Sequence, residues 1–375
     1  MMKINIVKPS FPDILKIQDK FDACLRSGLV TNNSINVREF ESHLGAFLKM
    51  QDQPLAFCNG EMALYSLIQA WKRKLGYSFH DSFKVLVPSF TFSGTVNAIV
   101  ANNLFPVFCD IDESLTINLS KIQTLDENIK MIVPVGVYGN LVDIQKVNDF
   151  AEENNLITIF DNAPAFGSKY KGNFSSFYPI NEIFSFHATK VFSTMEGGMA
   201  HSPETSITED LIISREFGQY EKTRGDISLP GLNTKMQEIN AIIGNENLKD
   251  FNLILENRMK IANQYNDFFQ TIEKNGNLKR MKINDNVECT YLYYPIILNE
   301  EASNFVQHMN SQGIAVRRYY TAVHTLKYYM NKYDSFNLDL TNFIKDKIVS
   351  LPIHSDMSQE EINYLFKTIQ HYFNN

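Results

Sequence analysis

From Gly60 onward the chain alternates two kinds of apolar spacing. Stretches such as MALYSLIQAWKRKL, GTVNAIVANN and VDIQKVNDFAEENN carry apolar residues three and four apart, which predicts helices with one buried stripe. Between them stand short, nearly continuous apolar runs: FKVLVPSF, FPVFCDID, IKMIVPVGVYGN, LITIFDNA and EIFSFHAT. A strand that is apolar on both faces is covered on both faces, so the alternation predicts an α/β domain with a mostly parallel sheet between helical layers. Ligands of such sheets bind beyond the carboxyl ends of the strands. That rule directs attention to residues 89–92, 161–165 and 185–190.

Residues 237–270 form a helical pattern without proline, suited to a connector leaving the large domain. CTYLYYPIIL, EASNFVQHMNSQG, IAVRRYY and SQEEINYLFKTIQHYF follow, and predict a small α+β C-terminal domain. The expected division is 1–250 and 251–375. A chain of 375 residues has room for both.

Charge and cysteine usage narrow the classes of function. The net charge is −7 and no basic tract offers a phosphate footprint, which argues against nucleic acid as a partner. No apolar window approaches the length of a bilayer span, and the N-terminus lacks the layout of a signal peptide. Cys24, Cys58, Cys109 and Cys289 have neither metal-ligand nor paired spacing. They read as reduced thiols of a cytoplasmic protein without a metal site.

The candidate chemistry lies at two strand ends. Asp161 directly follows ITIF, and Lys190 follows IFSFHAT in a setting of small, hydroxylated and aromatic residues. Each alone has an ordinary explanation, a cap or turn aspartate and a surface lysine. Together on neighbouring strand ends they match the needs of pyridoxal 5'-phosphate. That cofactor takes a lysine to hold it as a Schiff base and an acid to keep its ring nitrogen protonated. Ser185 and the backbone of CNGEM at a helix start are candidates for its phosphate, and Phe92 for one face of its ring. A nicotinamide enzyme is the other common use of a parallel sheet, but no G-x-G-x-x-G follows the first strand.

The pieces SGLVTNN, NGEMAL, PSFTFSGTVNAI, PVFCDID, VPVGVYGN, FDNAPAFGSKYKG, FSFHATKVFSTMEGGMA, GLNTKMQEINAIIG and SLPIHSDMSQEEI occur in order. This set resembles, over nearly the whole chain, the DegT/StrS family of pyridoxal-phosphate-dependent nucleotide-sugar aminotransferases. SFHATKVF is similar to the subgroup that forms dTDP-4-amino-4,6-dideoxyglucose. The resemblance implies the aspartate-aminotransferase-type fold (type I), with Lys190 as the Schiff-base lysine and Asp161 as partner of the ring nitrogen. It implies cofactor contacts from Gly60, the backbone at Glu61, Phe92 and Ser185. Asn233 would reach the phosphate from a neighbouring subunit, so that a homodimer shares its active sites. The segments TNN and VRRYYTAVH match sugar-side segments, which makes Thr31, Asn32, Arg318, Tyr319, Tyr320 and His324 candidates for substrate binding, with Arg317 an alternative to Arg318 at the diphosphate.

The activity implied is transfer of an amino group from glutamate to a nucleotide-linked 4-keto-6-deoxyhexose, carried on dTDP, for a surface polysaccharide such as O-antigen of lipopolysaccharide. Amination at carbon 3, or a non-catalytic regulator of this fold, are the alternatives. The family's dehydratases carry histidine at position 190, so the lysine argues against that branch. Two positions depart from the family: Glu61 stands where Ser or Thr is usual, and Pro164 where Gln or His bonds the ring hydroxyl. A carboxylate beside a phosphate is repulsive, so Glu61 is expected to turn away or pair with a cation. Gly136 stands where His is common.

Overall fold

The structure, a computed structural model, describes residues 2–219 and 225–374. The N-terminal arm leads into α1 (Ile14–Ser27) and α2 (Ile35–Leu48). The α/β body runs through β1 (Leu55–Phe57), α3 (Gly60–Lys74), β2 (Lys84–Pro88), α4 (Ser93–Ala101), β3 (Phe105–Cys109) and β4 (Ile129–Ile132). It continues with α5 (Ile144–Glu153), β5 (Ile157–Thr158), β6 (Phe160–Asp161) and a hairpin of β7 (Lys169–Tyr170) and β8 (Asn173–Phe174). Next come β9 (Glu182–Ser185), β10 (Gly198–His201), α6 (Thr205–Ser214) and the long α7 (Glu238–Lys274). The C-terminal part holds β11 (Leu278–Arg280), β12 (Val287–Glu288), β13 (Tyr294–Leu298), α8 (Ser303–Ser311), α9 (Asp339–Ile344), β14 (Ile348–Leu351) and α10 (Gln359–Asn374).

Two four-stranded runs, β1-β10-β9-β6 and β3-β2-β4-β5, meet where β5 passes into β6. A parallel bridge from Val135 to Asp161 joins them, with the Asp161 amide donating to Pro134 O at 2.9 Å. The result is one sheet in which every pairing is parallel except those of β10, which runs against both β1 and β9. The apolar runs of β2 and β9 are buried at nearly every position, as strands covered on both faces must be. One core packs α3 and α4 against Leu55, Val85 and Ile183, and another packs α5 against Leu86, Ile132 and Phe160. Because β10 is the reversed strand, the carboxyl ends of β1, β2, β6 and β9 share one edge.

The expected helix over 237–270 is α7, 37 residues and roughly 55 Å long at 1.5 Å per residue. It passes through position 250. Its first half buries Ala241 and Ile242, and its second half buries Tyr265 and Phe269 against the antiparallel sheet β11-β13-β14. The segment IAVRRYY forms no ladder of its own. Ile314 bridges Ile4 of the N-terminal arm and Arg317 bridges Ser350 of β14, so its backbone is divided between two partners.

Buried charges hold the connections. Glu238, at the start of α7, accepts from the amides of Ser34 (2.6 Å), Asn36 (2.9 Å) and Val37 (3.3 Å), and so caps α2 just after TNN. Asp110 does the same for α9 through Leu340 and Thr341, with Lys121 as its counter-ion at 2.8 Å.

The glycine pair of EGG has a steric cause. A Cβ on Gly198 would lie 2.5 Å from the Asn59 carbonyl carbon and 2.6 Å from the Gly60 nitrogen, backbone atoms that cannot rotate away. Gly198→Ala is expected to cost about 1–3 kcal/mol. Urea denaturation measures it, and an unchanged midpoint would show that the two backbones are not in close contact.

Candidate active site

A cavity of about 390 Å3 opens at the carboxyl edge of the sheet. Asp161 ends β6 on its wall and is almost fully buried. Thr95, one turn into α4, donates to Asp161 Oδ2 at 2.6 Å, and the Ala163 amide donates to Oδ1 at 3.1 Å. Thr91 Oγ1 lies 2.9 Å from Thr95 Oγ1 and extends the chain of hydroxyls. Desolvation pushes the Asp161 pKa up, while these bonds and the charge of Lys190 pull it back.

Lys190 enters the same cavity from the loop that follows β9. That loop is pinned by Lys190 N–H donating to His187 O at 2.8 Å and by Thr194 N–H donating to Phe186 O at 2.9 Å. The cavity leaves part of the lysine accessible, yet protein surrounds it. Burial pulls its pKa down to about 8, against the upward pull of Asp161.

The third wall is the start of α3. Asn59 caps that helix, its Oδ1 accepting from Met62 N–H at 2.8 Å, and the first amides, at Gly60 and Glu61, have no partner within the helix. Gly60 presses on β9 so closely that a Cβ there would stand 2.6 Å from the Cβ of Ser185. A glycine amide, a serine hydroxyl and a helix N-terminus thus converge, which is the donor set an anionic group such as a phosphate needs.

Of the residues expected from the sequence, Gly60, Glu61, Phe92, Asp161, Ser185, Lys190, Tyr319 and Tyr320 line this one cavity. Phe92 precedes α4 and is 54% exposed, an aromatic ring open to the cavity rather than packed in the core. The others lie elsewhere in the chain. Asn233, Thr31 and Asn32 are exposed, with Asn32 in the left-handed region at φ 71°. Arg318 is at the surface, 3.8 Å from Asp346. His324 bonds Ser89 Oγ at 2.6 Å and Asn342 Oδ1 at 3.2 Å.

Glu61 has no cationic partner among the described residues. Its carboxyl group leans on α4, with Oε2 3.3 Å from where a Cβ on Gly94 would lie. Desolvation raises its pKa, a hydrogen bond with Asn97 lowers it, and the charge of Asp161 raises it. Pro164 and Ala163 form a stretch of wall without side-chain donors. The glycine at 136 leaves room for Asn162, whose Oδ1 would be 2.8 Å from a Cβ there. Asn162 in turn donates to the buried Glu182 at 2.9 Å.

Several lining residues escaped the sequence reading: Thr91, Thr95, His187, Glu196 and Tyr293. Thr91 and Thr95 carried a usable signal, two hydroxyls four residues apart at a helix start. His187, with Nδ1 2.8 Å from Thr189 Oγ1 and Nε2 3.5 Å from Glu196 Oε1, carried none beyond its place three residues before Lys190.

Comparison with known proteins agrees with this geometry. Residues 14–370 match the DegT/DnrJ/EryC1/StrS aminotransferase family. The chain belongs to that family. It is 28% identical over 374 residues to the dTDP-4-amino-4,6-dideoxy-D-glucose transaminase of Shigella dysenteriae, covering 98% of each chain. It is 26% identical to the GDP-perosamine synthase of Escherichia coli O157:H7, covering 100% of this chain and 99% of that one. In fold it is similar to Helicobacter pylori PseC, an aminotransferase involved in the biosynthesis of pseudoaminic acid, with a TM-score of 0.90, 21% identity and full coverage of both chains. The sugar aminotransferase CalS13 of Micromonospora echinospora gives 0.89 at 20% identity, covering 98% and 99%. The family member described here is therefore a transaminase of the type I α/β fold that uses pyridoxal 5'-phosphate, and its cavity carries a donor set that suits that cofactor.

Capture of an aldehyde needs the neutral amine. The rate at which Lys190 of the apoprotein takes up pyridoxal 5'-phosphate should reach half its plateau near pH 8. In Asp161→Asn the midpoint should fall lower, because the carboxylate that favours the ammonium form is gone. A midpoint near the usual lysine value of about 10.4 would contradict the burial described.

Proposed function

We propose that this aminotransferase moves an amino group from glutamate to the C4 ketone of a nucleotide-linked 4-keto-6-deoxyhexose, carried on dTDP, to make an amino sugar for a surface polysaccharide such as O-antigen of lipopolysaccharide. Support for the ketone position comes from SFHATKVF and from relatives named for 4-amino-4,6-dideoxyglucose and perosamine. Support for the chemistry is one observation: Lys190 and Asp161 face a single cavity, each with its pKa displaced from the ordinary range.

When bound, the cofactor supplies an electron sink for the carbon that loses or gains a proton. Asp161, held by Thr95 and the Ala163 amide, would keep the ring nitrogen protonated. Lys190 Nζ, neutral in a sizeable fraction near pH 8, takes the proton from the donor's α-carbon and later returns one to the sugar carbon. The amides of Gly60 and Glu61 with Ser185 Oγ would hold the phosphate, and Phe92 would cover the ring. Tyr319 and Tyr320 line the sugar side, with Arg318 and His324 further out.

In this reading the exposed Asn233, Thr31 and Asn32 complete the site of a partner subunit, so the active unit is a homodimer. The chain divides near residue 250, within α7, into a cofactor-binding part and a C-terminal part. Four free cysteines suit a reducing cytoplasm, and among the described residues no helix is long and apolar enough to cross a membrane.

Lys190→Ala should abolish both turnover and the borohydride-fixed attachment of the cofactor to the chain. Incubation of wild-type protein with glutamate and a panel of dTDP- and GDP-linked 3-keto and 4-keto sugars tests the substrate. Aminated 4-keto dTDP-sugar is the expected product. A 3-amino product would replace the regiochemistry, and retained cofactor with no product from any sugar would favour a regulator.

Glu61→Ser should tighten cofactor binding about tenfold, equivalent to about 1.4 kcal/mol, by removing a negative charge beside the phosphate. Titration of the apoprotein measures it. Weaker binding in the variant would place the carboxylate among the groups that help to hold the cofactor.

A further inference from the structure

Glu61 carries two opposed groups at one place. Its amide is free at the start of α3 and attracts an anion, while its exposed carboxylate lines the same cavity and repels one. The hydrogen bonds around that carboxylate have a direction. Tyr329, buried in the C-terminal part, donates its hydroxyl to Asn97 Oδ1. The Asn97 side chain therefore turns its NH2 group the other way, and it is this group that bonds Glu61. One carboxyl oxygen is fixed as an acceptor, and the other is the place for a proton.

The charged groups facing Glu61 do not offset its charge. Asp161, at the end of β6, adds to the negative side. On α3 itself the next titratable side chain is Tyr65, one turn on, and α4 has no titratable residue. Tyr329 stays protonated, its pKa raised by desolvation and by neighbouring charges that include Glu61. From the C-terminal part the cavity receives Tyr293, Tyr319 and Tyr320 and no charged side chain. The loop after β9 brings Lys190, on which Asp161 acts, and His187 with Glu196, 3.5 Å apart. What favours the anion in the apoprotein is the dipole at the start of α3. A phosphate seated on the amides of Gly60 and Glu61 takes over that dipole and sets about two negative charges beside the carboxylate.

We propose that Glu61 takes up one proton from solvent when the cofactor's phosphate binds, and donates it in a hydrogen bond from its free carboxyl oxygen to that phosphate. The inference rests on the phosphate being held at the start of α3, as proposed above. Cofactor affinity is then linked to pH through this residue. Binding raises the Glu61 pKa, so affinity is greatest below the free-state pKa, falls by up to about tenfold per pH unit between the free and bound values, and is level above them. At neutral pH the uptake is a cost that serine at this position would not carry, in accord with the tighter binding expected of Glu61→Ser.

Calorimetric titration of the apoprotein with pyridoxal 5'-phosphate, in buffers of different ionisation enthalpy, counts the protons taken up. The comparison is Glu61→Gln, which keeps the shape and a donor but does not titrate. At one or more pH values between about 6 and 8, wild type should take up at least about half a proton more than the variant, and its dissociation constant should rise with pH more steeply. Protons that accompany attachment to Lys190 cancel in this difference. Pyridoxal, which lacks the phosphate, should show no excess, and phosphorus NMR of the bound cofactor should show the dianion. Equal proton counts throughout overturn the proposal, as does the same excess with pyridoxal or a monoanionic phosphate that has kept the proton itself. Ser185→Ala separates this failure from that of the phosphate site. If it weakens pyridoxal 5'-phosphate but not pyridoxal, the site stands and equal counts remove the proton linkage alone; if it weakens neither, the phosphate lies elsewhere and both readings fall.

Discussion

An acid and an amine share one cavity in which protein surrounds both, and each is tolerable there because of the other. Alone, burial would drive Asp161 towards its neutral acid and Lys190 towards its neutral amine. The opposite charge across the cavity restrains both shifts. The balance is unequal in a useful way. Asp161 also receives two hydrogen bonds that favour its charged form, whereas for Lys190 only Asp161 opposes the pull of burial. Burial still wins at both groups, so the Asp161 pKa stays raised and that of Lys190 falls to about 8. Each group is thereby displaced towards the form in which it can exchange a proton.

Irregular segments of the chain are held by a recurring device, a buried charge bonded to backbone. Glu238 holds the amides at 34–37, Asp110 those at 340–341, and Arg258 the carbonyls at 290–292 and 353. Glu41 accepts from the Ala56 amide at 2.8 Å while pairing with Arg215, which itself donates to Ala56 O. Removing one member of such a set leaves an unpaired buried group, which costs far more than an exposed ion pair yields. The arrangement gives irregular segments the rigidity that positioned chemistry requires.

Much of this is legible in the sequence. Continuous apolar runs spelled out β2, β3, β4, β6 and β9, and the carboxyl-edge rule led to Asp161, Ser185 and Lys190. Thr95 was not, because a threonine inside GTVNAI reads as one more helical residue until β6 brings Asp161 within 2.6 Å of it. Tyr293 reaches the cavity from a segment distant in the chain, and nothing in its neighbours marks it. Glu61 is the reverse case. The sequence alone made it an anomaly, and the structure shows a carboxylate in the first turn of α3, where the helix dipole favours it, leaning on α4 beside Asn97.

Local pattern determined the elements of this protein, because apolar period and turn chemistry act within a few residues. It also marked Lys190 and Asp161 out, since a lysine and an aspartate at strand ends are chemically conspicuous. Only the tertiary structure decided their ionisation, because desolvation depends on every residue that closes the cavity. It alone decided why positions 60 and 198 are glycine, through the approach of α3 to β9 and β10. It also decided what surrounds Arg258, a residue that reads as one more polar position on a long helix. Charge and steric contact act through space, and the chain states them only after it has folded.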